Sequence, residues 1–144
     1  MIQKGKAVDA LPPPIVTQEI QIVDDQGHPL LLLSGKSGQP MIKFMHWDGR
    51  QGMAMALDAA GRPSVKLANP NTGAPTAMLE IDDKGAHVKF DRRGGASGYL
   101  FLNNAGESGV VLVDANGVRR LDILTSPDGQ TSIGRYGEDG KALP

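Results

Sequence analysis

Residues 110–117 read Val-Val-Leu-Val-Asp-Ala-Asn-Gly, an apolar run that ends in an Asp-x-x-Gly segment. Asp at the first position of a tight turn accepts hydrogen bonds from the turn backbone, and Gly adopts the left-handed conformation that leads into the next strand. The segment recurs three times between apolar stretches. The residues interpreted as hairpin-turn formers are Asp24, Gly27, Asp58, Gly61, Asp82, Gly85, Asp114 and Gly117. The pattern predicts an all-β protein.

Glycine spacing supports the same fold class. The chain has 19 glycines in 144 residues, and after Gly27 no two successive glycines are separated by more than eleven residues. Glycine inside a helix costs about 1 kcal/mol relative to alanine, whereas a strand needs only about five residues. Long helices are therefore not expected.

The glycines also repeat at an interval of roughly 57 residues. Residues 56–61, Ala-Leu-Asp-Ala-Ala-Gly, correspond to residues 112–117, Leu-Val-Asp-Ala-Asn-Gly, and residues 44–45 correspond to residues 101–102. The glycine pairs that follow this interval are Gly49 with Gly106, Gly52 with Gly109, and Gly61 with Gly117. We interpret residues 19–144 as one domain with an internal duplication, its copies spanning about 20–76 and 78–135.

The apolar runs bear on how the hairpins pack. Residues 30–33, 99–102 and 110–113 do not alternate between apolar and polar side chains, which is typical of strands buried on both faces. Residues 87–90 do alternate, with Val88 and Phe90 expected to point inward. The prediction is a hairpin-rich β-repeat of β-prism, β-solenoid or sandwich-like form. Because so short a chain has little material to cover a sheet twice, a homo-oligomer is expected.

The N-terminal segment differs in kind from the rest of the chain. Residues 1–18 include Leu11-Pro12-Pro13-Pro14, and consecutive prolines favour an extended conformation that cannot donate to a sheet. We interpret residues 1–18 as a proline-containing arm. No secretory signal and no membrane-spanning run is recognisable, and the sequence leaves the location open between the cytoplasm and a released particle.

Composition and motif spacing argue against several kinds of chemistry. The net charge is −1, which does not fit a nucleic-acid binder, and the chain has no cysteine. The three histidines, His28, His46 and His87, are not at metal-ligand spacing. No nucleophile elbow or phosphate loop is present in the sequence. No catalytic residue, metal or cofactor is therefore predicted.

One turn carries unusual side chains. His46, Trp47 and Arg50 flank Asp48-Gly49, whereas the corresponding turn of the second copy is Asn103-Asn104-Ala105-Gly106. An exposed Trp beside polar residues can stack on a sugar ring or anchor a protein partner. It can equally fold back over the end of the sheet. His46, Trp47 and Arg50 are the candidate binding residues.

The Asp-x-x-Gly hairpins resemble the β-repeat segments of bacterial and phage fibre-like proteins. Residues 57–63 and 113–119 carry the similarity, which extends over roughly residues 20–140. The resemblance implies an intertwined or stacked β assembly, often trimeric, that serves as a shaft, spacer or adhesion module.

The functional hypothesis is a non-enzymatic structural or interaction protein, a self-associating scaffold or fibre-like module with a possible protein or glycan partner. Two alternatives stay open. One is a carbohydrate- or ligand-binding module centred on Trp47. The other is an enzyme whose site combines residues of different subunits, because such a site leaves no constellation along one chain.

Overall fold

The computed structural model describes residues 13–71 and 73–144 of the chain. Within them the backbone forms eleven β-strands. Their bounds are β1 Glu19–Val23, β2 Pro29–Ser34, β3 Met41–Met45, β4 Gln51–Leu57, β5 Pro63–Leu67, β6 Thr76–Ile81, β7 Gly85–Asp91, β8 Ser97–Asn103, β9 Ser108–Val113, β10 Arg119–Thr125 and β11 Thr131–Arg135. A 3₁₀ turn at Lys36–Gly38 is the only helical element of the described residues.

The topology is a simple meander. Every strand pairs antiparallel with the strand that precedes it and the strand that follows it, so the spatial order is β1 to β11 in one open sheet. This arrangement confirms the predicted all-β, hairpin-rich class. The residue ranges interpreted as two copies lie side by side in the same sheet, and neither covers a face of the other.

The register gives the sheet two different faces. Cross-strand partners lie on the same face of a sheet, and one row of partners is apolar in all eleven strands. That row is Ile20, Leu33, Ile42, Met55, Val65, Leu79, Val88, Leu100, Val110, Ile123 and Ile133. Residues two positions along each strand extend this surface, which we call the apolar face.

The apolar face is open to solvent. Fifteen of its large hydrophobic residues are between 36% and 71% exposed. They are Ile20, Ile22, Leu33, Phe44, Met55, Leu57, Leu67, Leu79, Ile81, Phe90, Leu100, Leu102, Leu112, Ile123 and Ile133. Monomeric proteins rarely expose a continuous apolar surface of this extent.

The opposite surface, the polar face, carries the buried residues. Val111, at 5% exposed, is the one large hydrophobic residue buried in the described chain, and its cross-strand partner Asp122 is 2% exposed. Lys89 and Tyr99 pair beside them on the same face. The two faces therefore belong to one sheet, and the described residues bury very few side chains.

Two expectations about burial do not hold for a single chain. Leu100 and Leu102, expected to be buried from both sides, are 58% and 55% exposed. Phe90, expected to point inward, is 57% exposed. The alternation placed Phe90 correctly on the face with Val88, away from His87 and Lys89. These side chains are not buried within one chain, because no second layer formed by residues 13–71 and 73–144 covers that face.

The hairpin turns show how Asp and Gly act together. At Asp58–Arg62 the Asp58 carboxylate accepts hydrogen bonds from the N–H groups of Ala60 at 2.8 Å and Arg62 at 3.0 Å. Gly61 completes the turn at φ +78°, a left-handed conformation that glycine adopts without strain. The Arg62 N–H, followed by its guanidinium, holds the pKa of Asp58 below its usual value. Equivalent bonds form at Asp24 and Asp114.

The predicted N-terminal arm lies partly outside the described residues, since residues 1–12 are not among them. The described part of the arm, residues 13–18, contains no strand, and its side chains are exposed. Ile15 and Val16 are 83% and 92% exposed, and β1 begins at Glu19.

Candidate functional site

The turn selected from the sequence joins β3 to β4. Trp47 is 69% exposed at this turn. The Arg50 side chain bonds the Asp48 carboxylate at 2.6 Å and the carbonyl oxygen of Pro70 at 2.5 Å. The Arg50 N–H, followed by the Arg50 side chain, lowers the pKa of Asp48 below its usual value. The guanidinium is thus held in place by the neighbouring turn.

The three candidate residues do not point into one pocket. The His46 ring is half-buried and lies against Gly52. A Cβ added at Gly52 would lie 3.5 Å from the His46 Nε2 atom. Trp47 instead meets His28 of the β1–β2 turn, edge to face, with ring centroids 6.3 Å apart. Trp47, His28 and Arg50 form an exposed patch along one end of the sheet.

A second site lies on the polar face, where β6 to β9 form a groove of about 740 Å³. Its floor includes Tyr99, Phe101 and Val111, and its walls carry Lys89 and Glu80. Lys89 bonds Asp91 at 2.9 Å, and this bond raises the pKa of Lys89 above its usual value. The groove therefore combines an aromatic floor with charged groups of both signs.

Three potential ligand side chains converge at one end of this groove. Glu80 of β6 and His87 of β7 are direct cross-strand partners, and the His87 Nε2 lies 2.7 Å from the Glu80 Oε1. Asp82 follows Glu80 by two residues. One ligand atom from each of Glu80, Asp82 and His87 lies within 4.8 Å of the others. This cluster offers one imidazole nitrogen and two carboxylates.

The turn between β6 and β7 is tighter than the other Asp-x-x-Gly turns, which explains this convergence. Its closing bond runs from the Asp82 N–H to the Gly85 carbonyl at 2.9 Å, whereas the Asp58 N–H reaches four residues on, to Arg62. With two residues in the loop, Glu80 and His87 come opposite one another. Asp82 Oδ1 accepts from the N–H groups of Lys84 at 2.8 Å and Gly85 at 3.1 Å, which lowers its pKa.

Asp122 is a further polar group that the sequence analysis did not identify. Its carboxylate accepts hydrogen bonds from the Gly134 N–H at 3.0 Å and the Tyr136 hydroxyl at 2.8 Å, and it also pairs with Arg119. The Arg119 guanidinium lies over the Tyr136 ring, 5.5 Å from its centroid. These bonds use both carboxylate oxygens of Asp122, so we assign Asp122 a structural role: it links β10 to β11.

Sequence spacing does not predict the cluster of Glu80, Asp82 and His87, because these residues are not spaced along the chain as metal ligands usually are. These residues are brought together across a hairpin instead. A usable signal was present, since Glu80 lies two residues before Asp82 and His87 two residues after Gly85. A two-residue turn would place those positions opposite one another.

No protein-family model matches this sequence, and a search of curated proteins finds no match. Within residues 13–71 and 73–144, no helix is long and apolar enough to cross a membrane. The features of this molecule that bear on function are the two faces of its sheet and the side chains that they carry.

Proposed function

We propose that this chain is a non-enzymatic structural protein that self-associates through its apolar face to form a β-repeat scaffold or fibre-like module. The observation that carries the proposal is the uncovered row of eleven apolar residues, one from each strand. An isolated sheet layer gains little from the hydrophobic effect, because a face has to be removed from water to contribute. A second copy of the same chain supplies a complementary apolar surface.

The extent of the apolar face suits a permanent interface. The fifteen exposed side chains, at on the order of 100 Å² each when fully exposed and about half exposed here, leave roughly 750 Å² of apolar surface. A stable interface buries about 800 Å² on each partner. Burial at about 25 cal/mol per Å² would contribute tens of kcal/mol per contacting pair before the entropy of association is subtracted.

Strand bounds support the internal duplication as the basis of this scaffold. A shift of about 57 residues moves each of β1–β5 onto the corresponding strand of β6–β10. The turn glycines agree, since Gly49 and Gly106 have φ of +81° and +88°, and Gly61 and Gly117 both have φ of +78°. A duplicated hairpin unit of this kind extends a sheet by repetition.

Light scattering coupled to size exclusion tests self-association. We expect a mass that is an integer multiple, two or greater, of 15.2 kDa and does not change over a wide dilution series. The double substitution Leu79→Glu with Leu100→Glu places two carboxylates at the centre of the apolar face. Because burying an unpaired charge costs several kcal/mol, this variant is expected to run as a monomer.

The matched control is the double substitution Gln21→Glu with Ser132→Glu. It adds the same charge at exposed positions of the polar face, and we expect the oligomer to persist. A wild-type protein that is monomeric at every concentration contradicts the proposal. So does a control variant that dissociates as readily as the variant of the apolar face.

A second candidate function, carbohydrate or ligand binding at the Trp47 turn, has one observation in its favour. Trp47 is 69% exposed yet held edge-on to His28, beside the anchored Arg50. An exposed, positioned aromatic ring can stack on a sugar. Trp47 is the single tryptophan of the chain, so its fluorescence reports this turn alone.

For this candidate we expect a panel of soluble glycans to contain at least one that quenches or shifts the Trp47 emission in a saturable manner. The substitution Arg50→Ala should weaken that response severalfold, because the guanidinium is the charged group beside the ring. Lys141→Ala, which removes an exposed cation beyond β11 at the far edge of the sheet, is the control and should leave it unchanged. A flat response across the panel excludes Trp47 as a glycan site.

A further inference from the structure

We propose that Glu80, Asp82 and His87 form a binding site for a divalent transition-metal ion of the zinc type. The site goes beyond the scaffold function and lies on the other face of the sheet. Its three side chains come from one hairpin, β6–β7, and all of them border the groove.

The three side chains are gathered as in a site that has not yet taken up an ion. His87 Nε2 and Glu80 Oε1 are 2.7 Å apart, a hydrogen-bond distance, and one Asp82 oxygen lies within 4.8 Å of both. Ligand atoms that share a tetrahedral zinc ion at about 2.0–2.2 Å lie about 3.3–3.6 Å apart. Zinc binding would therefore replace the His87–Glu80 hydrogen bond: these two atoms separate by less than about 1 Å, and the Asp82 carboxylate rotates toward them.

Asp82 differs from the equivalent aspartates in a way that favours a ligand. In the other turns the second carboxylate oxygen is paired: Asp24 with His28 at 2.8 Å and Asp58 with Arg62 at 2.8 Å. Asp114 pairs with Arg120 at 3.5 Å. Among the described residues no side chain pairs with the second oxygen of Asp82, while His87 and Glu80 stand beside it. A metal cation bound here would give the second oxygen of Asp82 a positively charged partner, as Asp58 and Asp114 have.

The donor set selects the class of metal. Calcium prefers six to eight oxygen ligands, and magnesium keeps most of its coordination shell as water. An imidazole nitrogen with two carboxylates instead suits zinc and neighbouring transition metals. Three protein ligands leave a fourth position open, as in zinc sites that hold a water molecule.

The surroundings keep that position accessible. The His87 and Glu80 side chains are 17% and 25% exposed, so they are sheltered but reachable from the groove. Because the groove is on the polar face, association of copies through the apolar face does not cover it. Failure of either proposal therefore leaves the other intact.

Isothermal titration of the full chain with zinc chloride tests this site. We expect one zinc ion per chain. His87→Ala should weaken binding at least tenfold because it removes the only nitrogen ligand. Asp82→Asn should also weaken it at least tenfold, although its amide oxygen can still cap the turn. Cobalt titration should give the visible absorption bands of a low-coordinate site, and these should disappear in His87→Ala.

The matched control is His28→Ala, which disrupts a similar His–carboxylate pair that has no third ligand among residues 13–71 and 73–144. Zinc affinity should be unchanged in this variant. Thermal unfolding without metal verifies that each variant is folded, and light scattering verifies that its oligomeric state is unchanged. The proposal is overturned if the folded wild type takes up no zinc, if His87→Ala binds as tightly as the wild type, or if His28→Ala produces the same loss.

Discussion

Replacing Asp122 with alanine is expected to lower the free energy of unfolding by about 3 kcal/mol or more. Asp122 is 2% exposed and accepts from the Gly134 N–H and the Tyr136 hydroxyl. Without the carboxylate, both donors lose their acceptor in a partly buried position, where an unmet hydrogen bond is costly. Arg119 is 43% exposed and can turn to water, so its contribution to the loss is smaller.

Chemical denaturation measures this loss of unfolding free energy, and two further variants serve as references for its size. Tyr136→Phe removes one of the bonds and should cost about 1 kcal/mol. Asp25→Ala removes an exposed aspartate and should change stability by no more than about 0.5 kcal/mol. If Asp122→Ala lowers the free energy of unfolding no more than Asp25→Ala does, then Asp122 does not stabilise the pairing of β10 with β11.

A spectroscopic readout separates loss of this network from general loosening. The hydrogen bond donated to Asp122 raises the pKa of the Tyr136 hydroxyl above its usual value of 10.0. In Asp122→Ala, ultraviolet titration should therefore show a tyrosine that ionises at lower pH than in the wild type. Asp25→Ala should leave the titration curve unchanged.

Local sequence signals predicted the strands well because hairpin chemistry is local. The Asp58 carboxylate caps its turn through N–H groups two and four residues away, so sequence spacing contains the whole interaction. Alternation likewise placed His87 and Lys89 on one face and Val88 and Phe90 on the other. These signals establish class, turn positions and faces.

Local sequence signals did not predict the features that depend on strand register or on contacts with other chains. Phe44 and Phe101 match in sequence, yet Phe44 pairs with Leu31 on the apolar face and Phe101 pairs with His87 on the polar face. A shift of one residue exchanges the faces of a strand, so an interval read from glycines fixes strands but not side-chain directions.

The candidate sites illustrate the same limit. Glu80 and His87 are seven residues apart and meet only because the turn between them is tight. Asp122 is the single acid of β10, and its partners Gly134 and Tyr136 come from the neighbouring strand β11 and the residue after it. Whether another chain covers the apolar face depends on association between chains, which hydropathy along one chain does not encode.

Gly85 gives the second large effect: Gly85→Ala is expected to cost about 4 kcal/mol or to prevent folding. Gly85 is buried at φ +150°, a conformation that L-residues rarely adopt. A Cβ added there would lie 2.2 Å from the Leu102 carbonyl oxygen and 2.6 Å from the Asn103 Cα. Both atoms belong to the backbone of β8, so relief requires β7 and β8 to separate.

Gly27→Ala is the matched control, because Gly27 closes another Asp-x-x-Gly turn at φ +86° with no atom within 4 Å of an added Cβ. Only the conformational strain of a left-handed alanine remains there, about 1 kcal/mol. The difference between the two losses of unfolding free energy therefore reports the clash at Gly85 together with the additional backbone strain of an alanine at φ +150°. Equal losses at Gly27 and Gly85 would mean that β7 and β8 pack less closely than described, and that the hairpin holding Glu80, Asp82 and His87 is not fixed by β8.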